Sequence, residues 1–150
     1  NSFASAKHTG LYSNMIYQAR MKRTGICLSD ANCANYISIR GRPLPLGGLK
    51  RWNREYKFAY SNTGKFSVWK VNGGIATPIR DWTASTAIVK KGWNTLKVIA
   101  VGKSLKFYIN NKLVWAGTNT TLKTGMVGFG FYRDTAPGVL YVDWARLTKK

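Results

Sequence analysis

The chain has 150 residues, 45% of them hydrophobic, and a formal net charge of +19 from 24 Lys and Arg against five Asp and Glu. This length and composition predict one globular domain over residues 1–150 and exclude a disordered tail, and no run of 18 apolar residues is present to span a membrane. The excess of positive charge favours polyanionic partners. Because the basic residues occur singly or in pairs and never as a block, they describe a charged surface better than a nucleic-acid-binding arm. We therefore do not expect nucleic acid as the partner.

Short runs with a period of two, bounded by Gly, Asn and Pro, predict β-strands along the whole chain. In the N-terminal half the predicted strands cover residues 14–23, 36–40, 55–60 and 65–71, with a Pro- and Gly-rich loop after the second and turns at 61–64 and 73–74. In the C-terminal half they cover 93–101, 104–109, 112–115, 126–133 and 139–147, with a turn at 134–138. No segment has a helical period. Nine or ten antiparallel strands at this spacing predict two packed sheets or a closed barrel.

The two cysteines, Cys27 and Cys33, are separated by five residues. A disulfide can close a loop of this length if the two Cα atoms approach to within about 6 Å. A pair of free buried thiols is the alternative, whereas zinc would need more ligands than two thiols and the single histidine, His8, supply. A disulfide would place the chain in an oxidising, extracellular compartment.

Four segments of the C-terminal half carry a family resemblance. A W-N-x-L-K-V strand, an F-Y-I-N hairpin, a G-x-V-G-F strand and a closing V-D-x-A strand lie at residues 93–98, 107–110, 125–129 and 142–145. In these segments the chain resembles the concanavalin A-like lectin/glucanase superfamily, especially its laminin-G-like and keto-disaccharide-hydrolase-like branches. The resemblance implies an all-β jelly-roll sandwich of two antiparallel sheets.

The N-terminal end departs from the family pattern. The chain opens almost directly on what resembles the second or third strand of the family, so the first strand either lies in the weakly patterned residues 1–11 or is missing. A missing strand would leave an open sheet edge that a second copy of the chain could fill. Because the chain begins at Asn1 rather than Met, we expect a signal peptide or a longer parent protein upstream. In the family hairpin Asn111 stands where glycine is usual, a change that still permits the turn.

The acids do not form a recognisable hydrolytic site. Glycoside hydrolysis needs two carboxyl groups flanking the scissile bond, and glucanases of the superfamily place two glutamates on one strand with an aspartate between them. Glu55 is the single glutamate here, and Asp81, Asp134 and Asp143 lie beside turns or in the closing motif. His8, in the weakly patterned N-terminal stretch, is not expected to serve a catalytic triad. We predict no enzyme and no cofactor, and although many relatives bind calcium through carboxylates and carbonyls, we do not expect it in so basic a chain.

Aromatic and basic side chains are the candidate ligand contacts, because sugar rings stack on aromatic faces and Arg and Lys bind carboxylates and sulfates. Trp52 and Trp82 follow charged residues and are predicted to be partly exposed, Trp52 in a loop. Strand alternation places Arg20 with Lys22, Ser38 with Arg40, and Lys106 with Tyr108 on common faces, which would form a basic groove if those faces belonged to one sheet. The alternative for each is an ordinary core or solvent-facing position. The candidate ligand-binding residues are Arg20, Arg40, Trp52, Trp69, Trp82, Lys106 and Tyr108.

These observations favour a non-catalytic, extracellular carbohydrate-binding domain of lectin type, with an acidic polysaccharide as its ligand. The alternative is a self-assembling structural subunit of an extracellular filament, sheath or adhesin, which the aromatic composition and a missing first strand would favour. A third hypothesis is a targeting domain attached to a larger secreted enzyme.

Overall fold

The computed structural model describes residues 2–43, 52–133 and 138–150. In this part of the chain there are eleven β-strands, one 3-10 turn (Ala31–Cys33) and no α-helix. The strands are β1 (Ser2–Tyr12), β2 (Met15–Gly25), β3 (Asn35–Pro43), β4 (Trp52–Tyr60), β5 (Lys65–Asn72), β6 (Ile75–Ala84), β7 (Asn94–Val101), β8 (Ser104–Ile109), β9 (Lys112–Thr118), β10 (Gly125–Arg133) and β11 (Gly138–Lys149). Most of the predicted Pro- and Gly-rich loop, and the predicted turn at 134–138 apart from its last residue, lie outside the described residues.

The strands form two antiparallel sheets. The six-stranded sheet has the order β1-β10-β3-β4-β5-β6, and the five-stranded sheet has the order β11-β2-β7-β8-β9. Consecutive strands pair as hairpins from β3 to β6 and from β7 to β9, while the first two and last two strands alternate between the sheets. The sandwich of two antiparallel sheets predicted from the sequence is confirmed.

The core lies between the inward faces of the two sheets. Along β2, buried and half-buried residues alternate, so that Met15, Ala19 and Met21 are fully enclosed. Phe58 from β4 and Phe107 from β8 meet across the core with ring centroids 5.3 Å apart. Because every second residue of such a strand is inside, the residues between them form the outer faces of the two sheets.

The first strand is present. Ser2–Tyr12 forms β1 and pairs with β10 over registers from Ser2–Arg133 to Tyr12–Gly125. Of the two alternatives left open by the sequence, the structure shows the strand within the weakly patterned N-terminal residues, and the edge of β10 that a missing strand would have left open is paired. The pattern of β1 is weak because it is an edge strand, with most of its described side chains exposed or half-buried.

Two N-terminal assignments also need correction. Residues 75–84, which the periodicity did not identify, form the edge strand β6, whose side chains are mostly exposed and therefore show little alternation. Trp52 was predicted to lie partly exposed in a loop, but it begins β4 and its side chain is buried.

Cys27 and Cys33 are joined by a disulfide, with their Cα atoms 5.3 Å apart. The bridge closes the segment that leads from β2 through the 3-10 turn into β3. The described residues contain no helix that could cross a membrane.

Candidate functional site

A groove of about 360 Å³ opens on the outer face of the six-stranded sheet. Five strands of that sheet, β3 to β6 and β10, border it together with the 3-10 turn. Its lining consists of small, aromatic and two polar residues: Ala31, Asn32, Ala34, Tyr36, Lys57, Ala59, Trp69, Ala76, Trp82 and Tyr132.

Small residues make the groove deep. Ala34, directly before β3, and Ala59 on β4 form, with Tyr36, a buried cluster against which Trp82 and Tyr132 pack. On the neighbouring strand, Gly130 leaves room for the Tyr36 ring, since a Cβ there would stand 2.7 Å from the Tyr36 hydroxyl oxygen. The absence of larger side chains at these positions produces a recess flanked by aromatic rings.

A side-chain hydrogen bond fixes one of the aromatic walls. The Trp69 indole Nε1 donates to Ser67 Oγ at 2.8 Å, so its ring is held on β5. The backbone N–H of Trp82 donates to Asp81 Oδ1 at 2.7 Å. Both rings, like that of Tyr132, are only half-buried and remain open to a ligand. Indole and phenol faces of this kind offer a large apolar contact at little cost in side-chain entropy.

A polar network lies on the β4 side of the groove. Glu55 is buried, its Oε2 accepts a hydrogen bond from Ser38 Oγ, and its Oε1 lies 3.2 Å from Lys57 Nζ. Lys57 Nζ also stands 4.6 Å from the centroid of the Tyr36 ring. Burial, together with the negative charge of Glu55, raises the pKa of Tyr36 well above its usual range. The phenol therefore stays protonated, and the cation that lines the groove is held in place and neutralised from below.

A buried arginine supports one end of the groove. Arg23, 1% exposed, donates from its guanidinium to the backbone carbonyls of Tyr132 and Asn32, and it lies 5.4 Å from the Phe131 ring. Burial lowers its pKa. The contact ties the 3-10 turn to β10, so two parts of the lining are positioned by a side chain that does not itself face the groove.

Of the seven predicted ligand contacts, the structure brings two to the groove, Trp69 and Trp82. Trp52 lies on the same sheet but is 2% exposed, with its ring against Gly128 and Gly41, so it forms part of the support rather than the lining.

Alternation predicted that Arg40 shares a face with Ser38, but the structure places the two side chains differently. A register irregularity between Ile39 and Arg42 and a left-handed backbone at Arg40 (φ 50°) turn its side chain toward the end of the sandwich. There it is 2% exposed and donates to the carbonyls of Ser13, Gly102 and Leu122. The guanidinium ties three connecting segments together.

Arg20, Lys106 and Tyr108 lie on the five-stranded sheet, on β2 and β8. Their neighbours Ala19, Met21, Leu105, Phe107 and Ile109 are all buried, so these three side chains point away from the core. Two of the three predicted basic faces therefore share one sheet, whereas Ser38 and Arg40 belong to the other sheet, so the three faces do not form one groove.

No acid lines the groove among the residues described. Glu55 lies beneath Lys57, Asp143 pairs with Arg20 on the other sheet, and Asp30 binds the β4–β5 turn through Ser61 and Thr63. Asp134 lies outside the described residues. Within the described ranges no three His, Cys, Asp or Glu side chains stand close enough to hold a metal ion.

Sequence reasoning missed Tyr36, Lys57 and Tyr132 as groove residues. Alternation gives their orientation, because each follows or precedes core residues on its strand. What it does not give is that β10, β3 and β4 are neighbours in one sheet, which is a property of long-range pairing.

The fold matches solved structures of low sequence identity. The carbohydrate-binding module CBM66 from Bacillus subtilis superposes with a TM-score of 0.70 at 16% identity, over 93% of this chain and 79% of that one. Sheep galectin-11, in complex with glycerol, gives a TM-score of 0.62 at 11% identity, over 99% and 98%. A beta-glucanase of Bacillus licheniformis gives 0.70 at 14% identity, over 97% and 71%. No protein-family model matches the chain, and no curated protein matches its sequence.

These neighbours are concanavalin A-like jelly rolls, so the fold implied by the sequence resemblance is confirmed. Because one fold serves a binding module, a galectin and a glucanase, the function of this chain has to be argued from its own site.

Proposed function

We propose that this chain is an extracellular, non-catalytic carbohydrate-binding domain, and that the groove on the six-stranded sheet is its sugar-binding site. The observation that supports this most directly is the groove itself: Trp69, Trp82 and Tyr132 surround a recess lined by alanines, with Lys57 at its side. Aromatic faces stack on the apolar faces of sugar rings, and a few fixed polar groups orient the hydroxyls.

The polar groups favour a sugar of low charge in the groove. Lys57 is already paired with Glu55, and this pair is shielded from solvent, with side-chain exposures of 17% and 2%. An anionic sugar would have to compete with a buried carboxylate for the same ammonium group. A hydroxyl can accept from Lys57 without disturbing the pair, since an ammonium group has three donors.

Two further observations support a binding domain over an enzyme. The described lining has no carboxyl group, whereas hydrolysis of a glycosidic bond uses two that flank it. The neighbours in fold include a carbohydrate-binding module and galectins as well as glycosidases. An extracellular location is supported by the Cys27–Cys33 disulfide, since such bonds persist in oxidising compartments.

The test is titration of a panel of neutral gluco-, xylo-, manno- and galacto-oligosaccharides against the whole chain, followed by intrinsic tryptophan fluorescence. We expect at least one member to bind, and Trp82→Ala and Tyr132→Ala to weaken that binding by about tenfold or more, as losing a stacking ring at a contact centre does. Trp144→Ala, on the five-stranded sheet, is the matched control and should bind as the parent does. No binding across the panel, or an equal loss in Trp144→Ala, would contradict the proposal.

The self-assembly alternative loses the argument from an open sheet edge, because β1 is present and pairs with β10. We keep it as a second proposal with its own measurement, light scattering over a wide concentration range. Growth of the particle mass with concentration would favour the assembly of copies, and a constant monomer mass would exclude it.

A further inference from the structure

The outer face of the five-stranded sheet carries a second set of aromatic and basic side chains that the groove does not use. Arg146 of β11, Gln18 of β2, Lys97 of β7 and Tyr108 of β8 stand opposite one another in a single row across four strands. A neighbouring row contains Ile16, Ile99 and Lys106, and the row on the other side contains Trp144 and Arg20. We call this surface the five-stranded face.

Each of several cations on this face lies over a ring. The Arg20 guanidinium is 4.5 Å from the centroid of Trp93, and Lys97 Nζ is 4.7 Å from that of Tyr108. Lys22 Nζ lies 5.0 Å from the ring centroid of Trp93 and 5.7 Å from that of Tyr141. The Arg146 guanidinium carbon lies 5.4 Å from the ring centroid of Trp144. The rings hold the flexible stems against the sheet while the charged heads stay at the surface. The charges are therefore pre-positioned, which lowers the entropy that a ligand must spend on ordering them.

The positive charge of the face is poorly compensated. Its five cations are Arg20, Lys22, Lys97, Lys106 and Arg146, and the one acid among its described residues is Asp143, 2.6 Å from Arg20. That pair is solvent-exposed, at 37% and 47% of the two side chains, unlike the Lys57–Glu55 pair of the groove. A cluster of one sign concentrates counter-ions and raises the association rate of a polyanion.

The spacing of the charges matches that of a polymer with regularly repeated anionic groups. Alternate residues such as Arg20 and Lys22 are about 7 Å apart along a strand, and Arg146 and Lys97, two strands apart, are separated by about 10 Å. These intervals suit a polymer with an anionic group on each sugar or on every second sugar, and the rings between the cations offer contact to the sugars themselves.

We propose that the five-stranded face binds an acidic polysaccharide, one carrying carboxylate or sulfate groups, at a site separate from the groove. Arg146, Lys97 and Arg20 engage the anionic groups, and Trp144 and Tyr108 contact the sugar rings. This site does not depend on the groove, so that a chain with both would hold a neutral and an acidic glycan on opposite sides.

The test uses the whole chain with two probes, polygalacturonate for carboxylate and heparin for sulfate, and dextran as the neutral polymer. The double variant Lys97→Gln/Arg146→Gln is compared with Lys90→Gln/Lys123→Gln, which removes the same charge elsewhere. We expect at least one acidic probe to bind, the first variant to lose about tenfold or more of that affinity, and the control to lose less than threefold. The slope of log affinity against log salt should also fall by about one to two in the first variant only.

Equal losses in the two double variants would overturn the proposal, because they would show a response to net charge alone. Binding of dextran as tight as that of both acidic probes would overturn it too. So would tighter binding of single-stranded DNA, or of phosphatidylserine vesicles, than of either polysaccharide. Trp82→Ala, in the groove, should leave the affinity for the acidic polysaccharide unchanged. A failure of the proposal for the five-stranded face can therefore be told apart from a failure of the proposal for the groove. Circular dichroism and thermal melting confirm that each variant is folded.

Discussion

The two outer faces of the sandwich both combine aromatic rings with cations, yet they treat charge in opposite ways. On the six-stranded sheet, Lys57 and Glu55 form a pair whose side chains are 17% and 2% exposed. On the five-stranded sheet, the Arg20–Asp143 pair is 37% and 47% exposed. In a shielded ion pair, loss of one member leaves the other as an uncompensated buried charge. In an exposed ion pair, each member can exchange the other for water or a ligand at little cost in free energy. The six-stranded sheet therefore offers a ligand mainly a recess of defined shape, and the five-stranded sheet offers it mainly exposed positive charge.

The backbone reinforces this difference. Gly128 and Gly130 lie on the outer face of β10, where they make room for the rings of Trp52 and Tyr36. The corresponding outward positions of β2, β7 and β8 carry side chains such as Gln18, Lys97 and Lys106, and no glycine. The six-stranded face is therefore recessed by its small residues, while the other face projects its cations into solvent.

The largest expected effect is on the recessed face. Gly130→Ala adds a Cβ close to the backbone oxygen of Ala4 and the hydroxyl of Tyr36, neither of which can move freely. We expect the free energy of unfolding to fall by about 2–3 kcal/mol, the usual cost of overpacking. Urea unfolding measures it, with Thr95→Val on the other sheet as a control that should change by less than about 0.5 kcal/mol. An unchanged midpoint for Gly130→Ala would show that the recess does not depend on the glycine.

The strands that alternate clearly could be predicted from the sequence, whereas two of the four edge strands, β1 and β6, could not be identified in this way. β2, β7 and β8 alternate between buried and outward residues, because each has core on one side and neighbours on both edges. β1 and β6 have a neighbour on one edge only and bury little, so hydrophobic alternation does not reveal them. The jelly-roll prediction held because the family motifs fall in the strands of the C-terminal half.

The candidate site was harder to predict, because sheet membership depends on contacts far apart in the chain. Arg20 and Trp69 both face outward, yet β2 pairs with β7 and β11 whereas β5 pairs with β4 and β6. Arg40 shows a second cause: one residue with a left-handed backbone at a register shift reverses the direction that alternation assigns. Local patterns therefore predicted whether most candidate side chains face inward or outward, but not which of them lie together on one sheet.

The acids of the two faces allow a graded test, beginning with Glu55. Glu55→Gln removes the charge that compensates Lys57 and weakens the acceptor of Ser38. We expect a loss of about 2 kcal/mol in the free energy of unfolding, since breaking a shielded pair leaves its partner uncompensated. Adding Lys57→Met should restore part of that loss, because the unpaired cation is then gone. A double variant less stable than Glu55→Gln would argue against charge compensation as the cause.

The exposure of the Asp30 side chain, 17%, is intermediate between those of Glu55 and Asp143. Burial pushes its pKa upward, but hydrogen bonds from Thr63, Ser61 and Lys65 outweigh this and hold the pKa below the usual range. A carboxyl with a depressed folded pKa contributes stability above its unfolded pKa of about 3.9, and that contribution is lost as the pH falls through the folded value.

Asp30→Asn should therefore lower the free energy of unfolding at neutral pH by about 1 kcal/mol, the worth of one hydrogen-bonded cluster with a charged member. It should also reduce the acid dependence below about pH 4, where the parent chain loses this contribution. Urea titrations at a series of pH values measure both effects. Parallel stability curves for parent and variant through the acid range would contradict the assignment.

Asp143→Asn should have the smallest effect on stability, and it is the most informative about the five-stranded face. Its pair with Arg20 is exposed and screened by solvent, so the free energy of unfolding should change by less than about 0.5 kcal/mol and less still at high salt. The same substitution frees Arg20, which stays over the Trp93 ring, and raises the net charge of the face by one because it removes a carboxylate. Affinity for the acidic polysaccharide that binds the parent chain should therefore rise while stability stays constant. A fall in stability as large as that of Glu55→Gln would show that the two faces do not differ in the way their charges are held.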